Sequence, residues 1–155
     1  MTDILGFRPA IKSDVAMLDD LTLEGLRHWG YAETFPALLD QLANELPEGD
    51  EIERSPVFIL EEGDSVVGFY GLRDRGDHAE LLRMFLRVDH IDRGYGRRLW
   101  NHAIVEAAAI GDRMLIMSDP KAIGFYQAMG ATLERLKEVA PDFSLGVLWY
   151  DLTNQ

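Results

Sequence analysis

The chain has 155 residues, of which 47% are hydrophobic and 27% charged, a net charge of −12 and no cysteine. This length predicts one domain, residues 1–155, with a substantial core. The missing cysteines exclude disulfides, thiolate metal sites and a cysteine nucleophile. The acidic charge argues against nucleic acid as a partner and favours a cationic ligand such as an amine. An acidic surface that only keeps the protein soluble explains the charge equally well.

The N-terminus has neither a basic nor an apolar leader segment, and no apolar run is long enough to span a membrane. We therefore expect a cytoplasmic protein without a membrane partner. In the first 50 residues, apolar positions recur at helical spacing in two stretches separated by Gly30. Two apolar stretches around Gly63 then predict a β-hairpin. The predicted elements are a strand at residues 7–10, helices at 15–28 and 34–46, and strands at 57–62 and 66–73.

Residues 80–111 are the stretch around which the rest is organised, with the pattern of a strand (80–88), a tight glycine turn and a helix ending at Gly111. Gly94 and Gly96 lie where the first N–H groups of a helix have no intrahelical partners, and three arginines flank them. Free N–H groups, a helix dipole and arginines together indicate a phosphate or pyrophosphate cradle. A tight connection with a solvated rim explains the glycines equally well.

Two familiar phosphate loops are excluded by the residues around this turn. A P-loop requires Lys followed by Ser or Thr, whereas the chain has Arg97 and Arg98. A dinucleotide fingerprint requires a third small residue, and Leu99 occupies that position. The anion would therefore be of another kind.

The last third of the chain alternates between sheet and helix. A short apolar run predicts a buried strand at residues 113–117. Asp119 and Pro120 then indicate a helix that begins there, with Pro120 at its first position, and ends at Gly130. Strands at 132–139 and 146–152 complete the order β-α-α-β-β-β-α-β-α-β-β. This order predicts an α/β fold with a mixed sheet covered by helices on both faces.

The turn resembles motif A of the GNAT superfamily, the acyl-CoA-dependent N-acyltransferases. Gly94, Gly96 and the apolar pair Leu99-Trp100 match its pattern Arg/Gln-x-x-Gly-x-Gly/Ala in register, whereas Ile91 replaces the Arg or Gln. The element order is also that of the GNAT fold, so the resemblance covers nearly the whole chain. It implies a splayed central sheet, acetyl-CoA as cosubstrate, no metal, and direct acetyl transfer to an amine without an acyl-enzyme.

The resemblance also implies which residues hold the cofactor. The backbone of β-strand residues 84–86 would pair with the pantetheine, and the glycine turn would hold the pyrophosphate. Asp119 stands at the family's usual asparagine, but an Asp cannot donate an amide hydrogen, so helix capping is its alternative role. The implied cofactor-binding residues are Met84, Phe85, Leu86, Arg93, Gly94, Tyr95, Gly96, Arg97, Arg98, Asp119 and Phe125.

Tyr126 occupies the family's tyrosine position at the CoA sulfur, where its phenol would protonate the leaving thiolate. Packing of a helix tyrosine against the sheet is the alternative. Glu80 opens the central strand, where many family members hold the carboxylate that deprotonates the amine through water. A solvated rim residue is equally expected there, and Asp77 and His78 are substitute bases.

Trp29, Tyr31 and Phe35 are the implied substrate-binding residues, because family analogy places this segment over the acyl end. Three aromatics suit an apolar or cationic ligand, and a core or a dimer interface equally well. The acceptor would be a small-molecule or peptide amine, and a homodimer is the default expectation for such enzymes. A non-catalytic acyl-CoA-binding or regulatory module is the main alternative, supported by Ile91 and Asp119. A weaker alternative is an anion-binding domain that never meets CoA.

Overall fold

Seven strands form one mixed sheet in the computed structural model, which describes residues 4–31, 36, 38, 52–53 and 55–154. The spatial order is β1-β2-β3-β4-β5-β7-β6, and only the β4–β5 pair is parallel. The strands are β1 (Leu5–Pro9), β2 (Val57–Glu62), β3 (Ser65–Asp74), β4 (Ala79–Leu86), β5 (Arg113–Ser118), β6 (Thr132–Ala140) and β7 (Phe143–Asp151).

The described residues include three continuous α-helices, which cover the two faces of this sheet: α1 (Val15–His28), α2 (Tyr95–Ala108) and α3 (Ile123–Ala128). Successive residues of β2 point to opposite faces of the sheet: Ile59 packs with Leu18 of α1, and Leu60 packs in the core beneath α2. This confirms the predicted mixed α/β fold with helices on both faces. The predicted helix at 34–46 lies outside the described residues except for 36 and 38, which are helical. None of the described helices has the length and hydropathy needed to cross a bilayer.

Several predicted boundaries are wrong, among them the start of β7 at Phe143 rather than residue 146, and three others have a local reason. The strand predicted to run through residue 88 ends at Leu86 and is followed by a short 3-10 turn. Helix α2 ends at Ala108, and Gly111 is required by packing instead, since a Cβ there would lie 3.0 Å from the His78 Cα. Helix α3 begins at Ile123, because the Asp119 carboxylate accepts the N–H groups of the two residues after Pro120 in a turn.

The sheet splays apart between β4 and β5. The two strands pair at three positions, from Ala79–Met114 to Leu81–Ile116, and then both continue. At the same point the register of β4 against β3 shifts, so that Leu82 and Arg83 together oppose one residue of β3. Such a bulge bends the strand that carries it. It accounts for the departure of β4 from β5, and the splayed sheet predicted from the family resemblance is confirmed.

His102 of α2 belongs to an aromatic cluster on the α2 face of the sheet. Its ring stacks on Phe7 with 3.9 Å between centroids, and its Nδ1 lies 2.6 Å from the Tyr70 hydroxyl. Burial raises the pKa of Tyr70, so the phenol keeps its proton and donates to His102. Burial lowers the pKa of His102, and Glu106 acts in the opposite direction with a smaller effect. The folded protein therefore favours the neutral imidazole.

We expect the free energy of unfolding to fall as the pH drops below about 6.5, the ordinary histidine pKa, since the unfolded chain then binds a proton that folded His102 disfavours. The stabilisation is complete above that pH and disappears as the pH falls through the lowered pKa of the folded state. Urea unfolding of His102→Gln should show a flatter profile across this window. The exposed His28→Gln control should keep the slope, and an unchanged slope in His102→Gln would contradict the assignment.

Candidate functional site

A cleft of about 430 Å³ opens where β4 leaves β5, and we call it the main cleft. Its walls come from the unpaired part of β4, the turn before α2, the start of α2, and the β5–α3 connection with α3. Because β5 stops pairing after Leu81 and Ile116, one backbone edge of β4 faces the cleft without a strand partner. Most predicted cofactor-binding residues lie on its walls: Met84, Phe85, Leu86, Gly94, Gly96, Arg97, Asp119 and Phe125.

The N-terminus of α2 forms one end of the main cleft. Gly94 precedes the helix with φ of +86°, a left-handed conformation that favours glycine. No side chain caps the helix, so the first-turn N–H groups of residues 95–97 are available at the positive end of the helix dipole. Arg97 lines the cleft beside them. Backbone donors, dipole and guanidinium together make an anion site.

Gly96, which the sequence suggested as part of a phosphate cradle, is required for helix packing. A Cβ at this position would lie 3.1 Å from the Phe125 ring. Glycine is therefore needed for the close approach of α2 to α3, which closes the floor of the cleft. At Gly94, by contrast, nothing lies within 4 Å of a Cβ, and the backbone conformation is the reason for glycine.

Three of the predicted cofactor residues do not line the main cleft. Tyr95 turns toward β2, where its hydroxyl donates to Glu62 Oε2 at 2.5 Å. Arg93 and Arg98 are exposed on either side of that residue, outside the cleft walls. Ile91, which replaces the family's Arg or Gln, lines the cleft as an apolar wall. The structure therefore singles out Arg97 from the three arginines of the motif.

Tyr126 stands where the main cleft meets a second cavity. This inner cavity, of about 50 Å³, is bounded by α1, β4, β5 and β7 and shares Met84, Phe85, Asp119 and Tyr126 with the main cleft. The Tyr126 side chain is buried, and burial raises its pKa, with the charge of Asp119 adding to the effect. The phenol therefore keeps its proton at neutral pH and is a hydrogen donor between the two cavities.

Asp119 is a junction of hydrogen bonds at the rim of both cavities. Its Oδ1 accepts the backbone N–H groups of Lys121 and Ala122, each at 3.1 Å, and the Tyr31 hydroxyl. These bonds close a turn ahead of α3, whose N-cap is Ala122 without a side-chain hydrogen bond, so the helix-capping role predicted for Asp119 is wrong. Lys121 Nζ donates to the backbone oxygen of Trp29, so the end of α1 is tied to the β5–α3 turn.

The predicted substrate-binding aromatics have different positions. Trp29 lines the main cleft and is 40% exposed. Tyr31 is buried behind Asp119 and is not among the lining residues of either cavity. Its ring meets Phe143 edge-on at 6.0 Å, and burial together with Asp119 raises its pKa. Phe35 lies outside the described residues.

Glu80 lies at some distance from this junction. It belongs to the paired part of β4, opposite Leu115, and its buried carboxylate accepts a hydrogen bond from Arg75 Nε at 2.6 Å. The alternative bases Asp77 and His78 lie at the same end of the strand, 2.6 Å apart, and the contact with His78 lowers the pKa of Asp77. Within the described part of the chain, these three residues line neither cavity.

Two cationic residues at the site have no counterpart among the predicted site residues. Lys121 lines the main cleft and Arg83 lines the inner cavity. The available signal for Arg83 was a cation in the middle of an apolar strand, because charged residues are rarely buried unless they are paired. For metals, the described residues include no cluster of three or more His, Asp or Glu side chains that is able to hold an ion.

Comparison with known proteins identifies the family to which the chain belongs. The family model described as the acetyltransferase (GNAT) family matches residues 20–131. The chain belongs to the GNAT family. No curated protein sequence matches it.

Solved structures agree with the GNAT assignment at the level of the fold. The PaiA N-acetyltransferase from Thermoplasma acidophilum, solved with coenzyme A, is 18% identical, with a TM-score of 0.72 over 96% of this chain and 99% of that one. A GCN5-related N-acetyltransferase from Rhodopseudomonas palustris is 14% identical, with a TM-score of 0.78 over 97% and 98%. The yncA protein from Salmonella typhimurium, solved with acetyl-CoA, is 17% identical, with a TM-score of 0.67 over 96% and 94%.

Proposed function

We propose that the protein is an acetyl-CoA-dependent N-acetyltransferase that transfers the acetyl group directly to an amine. The observation that carries this proposal is the path of the main cleft, which runs from the uncapped N-terminus of α2 to the buried phenol of Tyr126. These two features match two groups of the cosubstrate, the anionic pyrophosphate and the thioester. Two structural neighbours were solved with CoA or acetyl-CoA, which supports the same choice of cosubstrate.

The walls of the cleft fit acetyl-CoA at three places. The first-turn N–H groups of α2 and Arg97 suit the pyrophosphate. The unpaired edge of β4 at residues 84–86 suits the amides of the pantetheine, in the manner of an added strand. Met84, Phe125 and Met129 provide apolar surface along the way. When bound, the cosubstrate supplies an activated thioester acetyl group.

The residues around the reacting atoms would then handle two protons. As the amine nitrogen bonds to the acetyl carbon and the carbon–sulfur bond breaks, Tyr126 gives its proton to the sulfur. The amine gives up its proton to a base, and Glu80 remains our candidate, acting through water because Arg75 holds it outside the cavities. No acyl-enzyme is needed: the chain has no cysteine, and the buried Ser118 hydroxyl donates to the backbone oxygen of Asp119.

Arg97→Gln tests the cofactor site, with Arg93→Gln as a matched control from the same turn. We expect acetyl-CoA to raise the Tm of the wild-type protein in a concentration-dependent way, because a ligand that binds only the folded state stabilises it. In Arg97→Gln the acetyl-CoA concentration needed for half of the Tm rise should increase about tenfold, because one charge-assisted contact is lost. In Arg93→Gln it should change less than about threefold, since exposed charges outside the cleft are screened.

Free-thiol release with a panel of amines completes the test. Thiol release that depends on both acetyl-CoA and an amine supports the proposal. A Tm that acetyl-CoA leaves unchanged, or equal effects of the two arginine variants, would contradict the cofactor site. Binding without thiol release from any amine would instead favour the non-catalytic module, for which the apolar Ile91 in the cleft wall is the supporting observation.

A further inference from the structure

The inner cavity has one basic side chain among the described residues that line it, Arg83. The β4 bulge lies at this residue, and bulges commonly re-aim side chains beside functional sites. Four leucines and Met117 are among the other residues that line it. The other charged side chain there, Asp119, already accepts hydrogen bonds from the Tyr31 hydroxyl and the N–H groups of Lys121 and Ala122.

A charge in such surroundings requires an anionic partner. The Arg83 side chain is only 11% exposed, and burial of a charge among apolar groups is costly unless an opposite charge compensates it. In this structure Arg83 Nη1 donates to Asp19 Oδ1 of α1 at 2.7 Å. The Asp19 side chain is 54% exposed, so this carboxylate approaches from the solvent side. A second carboxylate arriving through the cavity would meet the same guanidinium, whose planar fork matches carboxylate geometry.

We infer that the acceptor amine carries a carboxylate, as an amino acid does, and that Arg83 binds this carboxylate in the inner cavity. The inference rests on the proposed function. The inner cavity adjoins the main cleft at Tyr126, so a carboxylate on Arg83 keeps the rest of a small acceptor beside the acid. The guanidinium also disfavours the ammonium form of a nearby amine, which helps the nitrogen to lose its proton before attack.

This inference departs from what net charge alone predicts. A chain with a charge of −12 attracts cations at long range. Salt screens that attraction beyond roughly 8 Å at physiological ionic strength, whereas a pair formed in a mostly buried cavity is screened much less. The local guanidinium therefore favours a carboxylate at this end of the inner cavity, and an amine without a carboxylate would meet a like charge at Arg83.

The experiment compares the twenty protein amino acids with their carboxamides, which differ only in the acidic group. Thiol release gives kcat/KM for each acceptor with saturating acetyl-CoA. Thermal shift of the protein saturated with CoA gives binding of each acceptor without turnover. The variants are Arg83→Gln, Arg83→Lys and Asp19→Asn, and a retained CoA-induced Tm rise shows that each is folded.

At least one amino acid should be preferred over its carboxamide by tenfold or more in kcat/KM and should stabilise the CoA-bound protein. Arg83→Gln should bring the ratio near one, and Arg83→Lys should retain part of it. Asp19→Asn should lower KM for the amino acid, because it removes a carboxylate that competes for Arg83. If the Arg83–Asp19 pair were purely structural, Asp19→Asn and Arg83→Gln would instead reduce kcat/KM equally.

Equal use of acids and carboxamides, or a preference that survives Arg83→Gln, would overturn the inference while leaving the proposed function standing. Turnover of simple amines with no amino acid bound or used would do the same. A protein that CoA and acetyl-CoA do not stabilise would overturn the proposed function, and the inference with it.

Discussion

Tyr126→Phe should lower kcat for acetyl transfer by about 10² to 10⁴, the range that a general acid contributes. The phenol lies at the junction of the main cleft and the inner cavity, and its raised pKa keeps it protonated. Among the described residues no side chain takes up its hydroxyl in a hydrogen bond, which leaves that hydroxyl for the reacting atoms. Phenylalanine preserves the ring contacts with Trp100 and Phe125, at 5.9 and 5.2 Å between centroids.

Steady-state kinetics and an acetyl-CoA thermal shift check this prediction together. The Tm rise with acetyl-CoA should remain in Tyr126→Phe, since only the hydroxyl is removed. Tyr150→Phe is the matched control, because Tyr150 also packs against Trp100, at 5.0 Å, but lines neither cavity. Its kcat should stay within about threefold of wild type, less than the effect of any general acid. A Tyr126→Phe enzyme with wild-type kcat would show that the tyrosine is a packing residue.

The pH profile gives a second test of the same residue. A phenol whose pKa is raised above its ordinary value of about 10 stays protonated throughout the physiological range. Activity should therefore rise with pH as the amine loses its proton, with no decline below about pH 10 from loss of the acid. A decline between about pH 7 and 9 that disappears in Tyr126→Phe would mean that the pKa of this phenol is lowered rather than raised.

Trp100→Ala should reduce the free energy of unfolding by about 3 to 5 kcal/mol, the usual cost of removing a buried aromatic side chain. Trp100 is 2% exposed and packs between α2 and the sheet, in ring contact with Tyr126 and Tyr150. Its removal leaves a cavity beneath the helix whose N-terminus forms the anion site. The loss therefore lies in the part of the core that positions the cleft.

Urea unfolding measures this effect. Trp29→Ala is the matched control, because Trp29 is 40% exposed at the cleft rim and should cost less than about 1 kcal/mol. Trp100→Phe should recover more than half of the loss, since a smaller aromatic ring still fills most of the site. A loss below about 1 kcal/mol in Trp100→Ala would show that α2 is held mainly by other contacts.

Much of the fold follows from local patterns in the sequence. The helix over residues 15–28 and the strand over residues 57–62 have the predicted bounds, because hydrophobic periodicity and turn residues act within a few positions. The glycine turn was also recognisable, since Gly94 needs its left-handed conformation whatever packs around it. Predicted boundaries were wrong where a side chain binds the backbone, as at Asp119, whose carboxylate holds residues 121 and 122 in a turn before α3 begins.

Only the tertiary structure shows which of the predicted site residues reach the cavities. Arg93, Arg97 and Arg98 are equivalent in the sequence, yet only the direction of each side chain from the turn and the helix brings Arg97 into the main cleft. Glu80 and Tyr126 are both plausible by motif, but the paired part of β4 holds Glu80 against Arg75, away from the cavities.

By itself, then, the sequence determined the order of elements, the mixed sheet and the anion-binding turn, because these depend on residues close together in the chain. The tertiary structure alone decided which residues share a cavity. The β4 bulge forms against the adjacent hairpin strand β3. The end of β4–β5 pairing depends on contacts between residues 35 positions apart, such as Ala79 and Met114, and together with the bulge it brings Arg83 and Tyr126 to the walls of one cavity. Such contacts leave no local pattern, because their energy comes from packing between distant segments.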